Sequence, residues 1–237
     1  MKRSERLVDM TKYLMERPHT LIALPFFAKR YGAAKSSISE DLAILKHTLA
    51  SNQDGILETV AGAAGGVRYI PFLGKKHAEV YLSDLSTRIE DPSRILAGGF
   101  VYLSDILGNT QDLRKIGELV ATHYAYEEID AVMTVETKGI ALAQAVARFL
   151  DVPFVTARKR SKVTEGATVS VNYISSSLSR VSKMELPTRA LKKEAKVLIV
   201  DDFMKRGGTL TGMEELVKQF DGTIAGVCVL CEADFDK

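Results

Sequence analysis

KVLIVDDFMKRGGT, residues 196–209, is the stretch on which the fold turns. An apolar run from Lys196 to Val200 reads as a buried strand. It ends in the acids Asp201 and Asp202, passes through Phe203, Met204, Lys205, Arg206, Gly207 and Gly208, and leads by Thr209 into a helix starting near Leu210. Each part has a chemical task. Carboxylates at a strand end accept hydrogen bonds from vicinal sugar hydroxyls, while loop N–H groups, the Thr209 hydroxyl and a helix N-terminus can hold a phosphate. Gly207 and Gly208 let the backbone come close to such a ligand.

Working outward, strand-like and helix-like stretches alternate. Phe100 to Leu107 reads as a strand, Gln111 to Tyr124 as a helix, Ala131 to Val135 as a strand, Ile140 to Leu150 as a helix, and Phe154 to Ala157 as a strand. Ile224 to Leu230 adds another. This α/β alternation predicts a mostly parallel sheet flanked by helices, with ligands bound outside the carboxyl ends of its strands. At one of those ends lies Glu136-Thr137-Lys138-Gly139, whose N–H groups and lysine suit a diphosphate. Tyr102, in the Phe100 strand, is a candidate for lining the pocket, with a place in the aromatic core as its competing role.

The first 74 residues are organised differently. Leu7, Met10, Tyr13 and Leu14 place a helix over Ser4 to Arg17, ended by Pro18, and a shorter one fits Pro25 to Tyr31, with Gly32 beyond it. Ser37-Ile38-Ser39-Glu40 has capping-box spacing before a helix through Leu42, Leu45 and Leu49. Gly55 to Val60 and Val67 to Pro71 flank a small-residue tip, the pattern of a β-hairpin. Helix, helix, turn, helix and hairpin is the order of a winged helix-turn-helix. In such a module Lys35, Ser36, Ser37 and Ser39 meet DNA at the N-terminal end of the third helix, and Arg68 on the wing meets the sugar-phosphate backbone. A dimerisation cap is the alternative role. Residues 71 to 76 read as a hinge, followed by a long connector up to about Gly99.

Composition narrows the options. Of 237 residues, 46% are apolar, with no run long enough for a membrane span and no apolar leader after Met1, so a soluble, cytoplasmic protein without membrane partners is expected. Residues 1–75 carry 11 Lys/Arg against 7 Asp/Glu and the remainder 21 against 23, a basic segment joined to a mildly acidic one. Cys228 and Cys231 spell C-x-x-C, but within a strand, where positions three apart face opposite sides; buried thiols are expected rather than a redox pair. The four histidines do not fall at ligand spacing, so no metal site is expected.

The segment Asp201 to Thr209 resembles the 5-phosphoribosyl 1-pyrophosphate (PRPP) motif of type I phosphoribosyltransferases, and Thr137-Lys138-Gly139 resembles their pyrophosphate loop. The resemblance implies a mobile loop closing over the site from Ala157 onward, which makes Arg158, Lys159 and Lys162 candidate clamps and takes in the polar stretch Thr164 to Ser179. Over its whole length the chain resembles the purine operon repressors of Gram-positive bacteria, most sharply in Phe203-Met204-Lys205. That implies a winged-helix DNA-binding domain over 1–74 and a phosphoribosyltransferase-like PRPP-binding domain over 75–237, the latter shortened at its C-terminus. It implies, too, a homodimer that represses purine biosynthesis genes on a double-stranded operator and is released by PRPP, with Mg2+ as a possible companion and guanosine tetraphosphate (ppGpp) as a competitor. No catalytic residues are assigned. Lys205 and Arg206, standing where the transferring enzymes usually have small residues, favour ligand holding over catalysis. The alternatives are an active purine phosphoribosyltransferase with an N-terminal regulatory module and an RNA-binding attenuator.

Overall fold

The computed structural model describes residues 1–62, 64–160, 163–175 and 180–233. Its N-terminal part comprises α1 (Arg3–Met15), α2 (Leu24–Tyr31), α3 (Lys35–Asn52), β1 (Ile56–Val60) and β2 (Gly66–Ile70). Met10, Leu14, Phe27, Ile38, Leu42, Leu57 and Val67 form one buried core, so each helix turns its apolar stripe inward. Polar bonds tie the helices as firmly. Asp41 of α3 is fully buried and accepts from Arg3 Nε at 3.0 Å and Arg6 Nε at 2.8 Å, while Asp9 of α1 accepts from Arg30 and from the Tyr31 hydroxyl. The β1–β2 hairpin gains a third edge at Ile22, whose backbone pairs with Val67.

Two local expectations for this part are corrected. α1 ends at Met15, short of Arg17. α3 starts at Lys35 with Ala34 as its N-cap, so Ser37 and Glu40 form no capping box. The physical reason is upstream: Gly32 closes α2 in the left-handed region (φ 60°), and Ala34 is already extended with a helix-entry geometry, leaving the serines inside the first turns. There the Ser39 hydroxyl donates to the Lys35 carbonyl.

α4 (Lys75–Ile89) occupies most of what reads as a connector. Its Tyr81, Leu85 and Ile89, at spacings of four, face the second core, and Arg88 clamps Asp112 with two bonds of 2.7 and 3.0 Å. The stretch expected as the strand 100–107 divides into a hairpin of β3 (Ile95–Leu96) with β4 (Phe100–Val101), then the short helix α5 (Ser104–Gly108). Arg94 fixes this break by bonding both oxygens of Asp105 and the Tyr102 carbonyl.

Beyond it come α6 (Thr110–His123), β5 (Ala131–Val135), α7 (Gly139–Leu150), β6 (Phe154–Ala157), β7 (Thr168–Ser175), β8 (Arg180–Pro187), β9 (Lys196–Met204), α8 (Gly208–Lys218) and β10 (Thr223–Glu232). The main sheet has the order β10-β9-β5-β6, every pair parallel, as the alternation predicts. Leu198 and Val200 face a core built with α5, α6 and α7, whereas Val197 and Ile199 face one built with α8 and the β7–β8 hairpin. A strand covered on both faces has no polar side, which is why its sequence is continuously apolar. Cys228 and Cys231 are free and half-buried, less covered than expected, and both pack against the α6–α7 core. Cys231 departs from the opposite-face expectation at the strand's far end, where its register partner Phe203 belongs to that same core. Among the described residues no helix is long and apolar enough to cross a membrane.

Candidate functional site

β9 does not stop at its acids. It runs on through Asp201, Asp202 and Phe203 to Met204, and the chain then bends over Lys205 to Gly207 into α8. Gly207 takes φ 72° as the N-cap of α8, a conformation glycine adopts without steric cost. Gly208 and Thr209 therefore occupy the first turn, where backbone N–H groups have no partner within the helix. Asp201 is 8% exposed and its Oδ1 accepts from the Asp202 N–H at 3.0 Å. Burial, with the neighbouring Asp202 charge second, pushes its carboxyl up to about 7.

The loop after β5 reaches the same place. α7 begins at Gly139, whose Cα lies against both Asp201 and Thr134. The Glu136–Thr137 peptide is cis. Glu136 is held from behind by the Lys159 N–H, at 2.8 Å. Lys138 and Lys159 line a cavity of about 680 Å³ together with Glu136, Asp202, Phe203 and Thr209. A hollow of about 110 Å³ adjoins it under the loop, lined by Asp201, Met204, Lys205, Arg206, Gly207, Gly208 and again Thr209. Lys138 and Lys159 thus share one cavity with Asp202 and the start of α8, while Asp201 lines the hollow that adjoins it.

Two candidates from the sequence are not brought in. Arg158 bridges Glu136 at 3.5 Å and Glu165 at 3.4 Å, and lines a separate hollow beside Phe154 and Arg189. Its backbone pairs with Glu185, and its guanidinium is taken up by the two glutamates. Tyr102 lies neither in a strand nor in the aromatic core. It is 45% exposed, with both its backbone groups engaged by Arg94. Lys162 and residues 176–179 lie outside the described residues. Thr137 is exposed at the loop's edge.

Phe100 and Tyr173 line the cavity and were missed from the sequence. Phe100 packs on Phe203 with ring centroids 5.8 Å apart, and Lys205 reaches across to the Gly98 carbonyl at 2.6 Å, over the Phe100 ring. These contacts join segments about a hundred residues apart in sequence, so no local signal announces them.

At the other end of the molecule, Lys35, Ser36 and Ser39 are exposed on the first turns of α3 and Ser37 is half-buried beside them. Arg68 does not stand free on the wing: it is paired with Glu58 on the neighbouring strand and lines a polar cleft facing Glu127, Glu128 and Asp151. The reason is its position in mid-strand, opposite Glu58 in the hairpin register, rather than at the tip.

Residues 2–71 match the family model described as "Bacterial purine repressor, N-terminal", and residues 103–236 match the phosphoribosyl transferase domain. Over 98% of its length the chain is 53% identical to the purine biosynthesis transcriptional repressor of Bacillus subtilis, covering 82% of that protein. The chain belongs to the bacterial purine repressor family. Within that family it is also 48% identical, over 99% of its length and 87% of the relative's, to the purine biosynthesis transcriptional activator of Lactococcus lactis. The repressor-family chain shares its carboxyl-terminal fold with adenine phosphoribosyltransferase of Saccharomyces cerevisiae, at TM-score 0.58 and 22% identity over 65% of this chain and 89% of that one. The enzyme from Rhodothermus marinus aligns at TM-score 0.56 and 26% identity, over 65% and 87%.

Proposed function

We propose that this chain is a DNA-binding transcriptional repressor of purine biosynthesis genes, whose carboxyl-terminal module senses PRPP and relieves repression when PRPP is bound. The observation that carries this reading is the meeting, in two adjoining hollows that share Phe203 and Thr209, of Asp201 and the start of α8 in one with Asp202, Lys138 and Lys159 in the other. In this reading Asp201 and Asp202 accept the ribose hydroxyls, the Gly207–Thr209 turn holds the 5′-phosphate, and the two lysines face the diphosphate, which Mg2+ can accompany. Because ppGpp also carries diphosphates, it competes for the same groups. The family includes relatives named repressor and relatives named activator, and the higher identity to the Bacillus subtilis protein favours repression.

The protein acts in the cytoplasm as a homodimer on a double-stranded operator, contacted through Lys35, Ser36, Ser37 and Ser39 at the start of α3. The fold serves as a sensor rather than an enzyme. What supports this is the phosphate loop itself, in which Lys205 is anchored to the Gly98 carbonyl over the Phe100 ring. The decisive experiment is fluorescence anisotropy of a labelled purine-operon control duplex titrated with the protein, with and without PRPP and Mg2+. Binding reversed by PRPP supports the reading, and binding indifferent to saturating PRPP sinks it.

One observation favours a second reading, an active purine phosphoribosyltransferase: a cavity of about 680 Å³ has room for a base beside Phe100. Pyrophosphate release from PRPP in the presence of a purine base is its signature.

A further inference from the structure

α7 has one end in the candidate ligand site and the other against the winged helix. At its start, Gly139 abuts Asp201 and follows Lys138 directly. Any ligand that draws on either residue bears on the first turn of this helix. Twelve residues span about 18 Å as a straight rod, and Leu142, Ala143, Val146, Ala147 and Leu150 are buried along it, so it moves as a body or not at all. At its end, Asp151 Oδ2 accepts from Thr20 Oγ1 at 3.3 Å and the Phe149 carbonyl faces the His19 imidazole. His19 and Thr20 belong to the turn between α1 and α2, and the His19 N–H is bonded to the Tyr69 carbonyl of β2. Asp151 closes the helix in the left-handed region, so its side chain is carried on a fixed helix end.

The seat of the winged helix leaves room for a second arrangement. Beside this joint lies a cleft of about 790 Å³, walled by Leu7, Val8, Met15 and Pro18 on one side and by Phe149 and Arg148 on the other. Val8 is 72% exposed and Met15 49% exposed at its edge. Rocking the module to narrow this cleft would remove apolar surface from water, a favourable change that small shifts in Phe149 could trigger or block.

We propose that α7 is the element through which the ligand site acts on the DNA-binding module, with Phe149 and Asp151 as its contact. The proposal rests on the PRPP-sensor reading above. For it to work, PRPP must favour one seating of the module over the other, since equal affinity for both shifts nothing.

The test uses the full chain and two variants, Phe149→Ala and Asp151→Gly, the glycine keeping the left-handed helix end. For each, calorimetry gives the PRPP affinity, and duplex anisotropy with and without PRPP gives the coupling ratio. Allosteric coupling of this kind is typically about 5- to 150-fold. The expected result is a ratio reduced to less than about threefold in Phe149→Ala and reduced in Asp151→Gly, with PRPP affinity in both within about threefold of the parent. Hydrogen exchange on the unmodified protein gives a second readout, in which PRPP is expected to change protection at residues 17–22 as well as at 136–140. A parent-like ratio in both variants, with exchange unchanged at 17–22, overturns the proposal. A parent whose duplex binding ignores PRPP overturns the sensor reading itself, and the α7 relay with it.

Discussion

The backbone of Gly139 lies against the Asp201 carboxylate, so that a β-carbon on the glycine would stand 2.6 Å from Asp201 Oδ1, and nearer still to Thr134 Oγ1. Three elements, β5, α7 and β9, therefore meet at the bottom of the cleft with no spare volume. Gly139→Ala is expected to cost about 1–3 kcal/mol of stability through overpacking and to weaken PRPP binding at least tenfold as Asp201 is displaced. Urea denaturation and calorimetry check the two parts, and parent-like PRPP affinity would show that Asp201 is not a ligand group.

The buried carboxyl of Asp201 gives a pH signature. Its folded value of about 7 lies above the unfolded value of about 3.9, so between these the native state keeps a proton that the unfolded chain has released. Stability contributed by this group is intact below about pH 3.9, falls as pH rises through the window, and stays lowered above about 7. Asp201→Asn is expected to raise the urea midpoint relative to the parent at pH 8 and to change it little at pH 3.5. In the parent, PRPP affinity is expected to strengthen as pH rises toward about 7, where the Asp201 carboxylate ionises, and to level off beyond it. A flat profile from pH 5.5 to 8 contradicts the role given to Asp201.

Removing both acids is expected to separate sensing from DNA binding. Asp201→Ala with Asp202→Ala is expected to bind the control duplex as the parent does and to lose the PRPP response altogether. Anisotropy with and without PRPP decides, and a retained response excludes the acid pair as the ribose anchor.

The cations of the DNA-binding module are not equivalent. Lys35→Ala is expected to weaken duplex binding and to lower the magnitude of the log K against log salt slope by about 1. Arg68→Ala, with its side chain paired to Glu58 and turned to the polar cleft, is expected to leave that slope unchanged. Equal slope losses in the two variants would restore Arg68 to the DNA surface.

Asp41 anchors α3 to α1 through Arg3 and Arg6. Asp41→Ala leaves the half-buried Arg6 guanidinium without its acceptor and is expected to cost about 3 kcal/mol. Thermal denaturation reports it, and an unchanged midpoint would mean that the arginines find other partners.

Much of this was legible residue by residue. The two-sided burial of β9 shows in its unbroken apolar run, and the turn into α8 shows in Gly207, Gly208 and Thr209. Lys138 shows at the end of β5. α4 escaped notice because only Tyr81, Leu85 and Ile89 mark its buried face, with Val80 and Leu82 exposed on either side of Tyr81. Arg158 and Arg68 looked like free cations because a sequence displays charge without its partner, and both partners, Glu136 and Glu58, lie across a strand pairing or a loop.

The sequence by itself determined the alternating strands and helices of the parallel α/β sheet, the winged-helix arrangement and the acid-glycine-threonine turn, since each depends on periodicity or on the intrinsic conformational freedom of residues close in the chain. Only the tertiary structure decided which side chains share the cleft. Phe100 against Phe203, Lys205 on Gly98, and Gly139 beneath Asp201 are contacts between distant segments, set by how the helices and hairpins pack on the sheet, and packing of that kind leaves no local pattern to read.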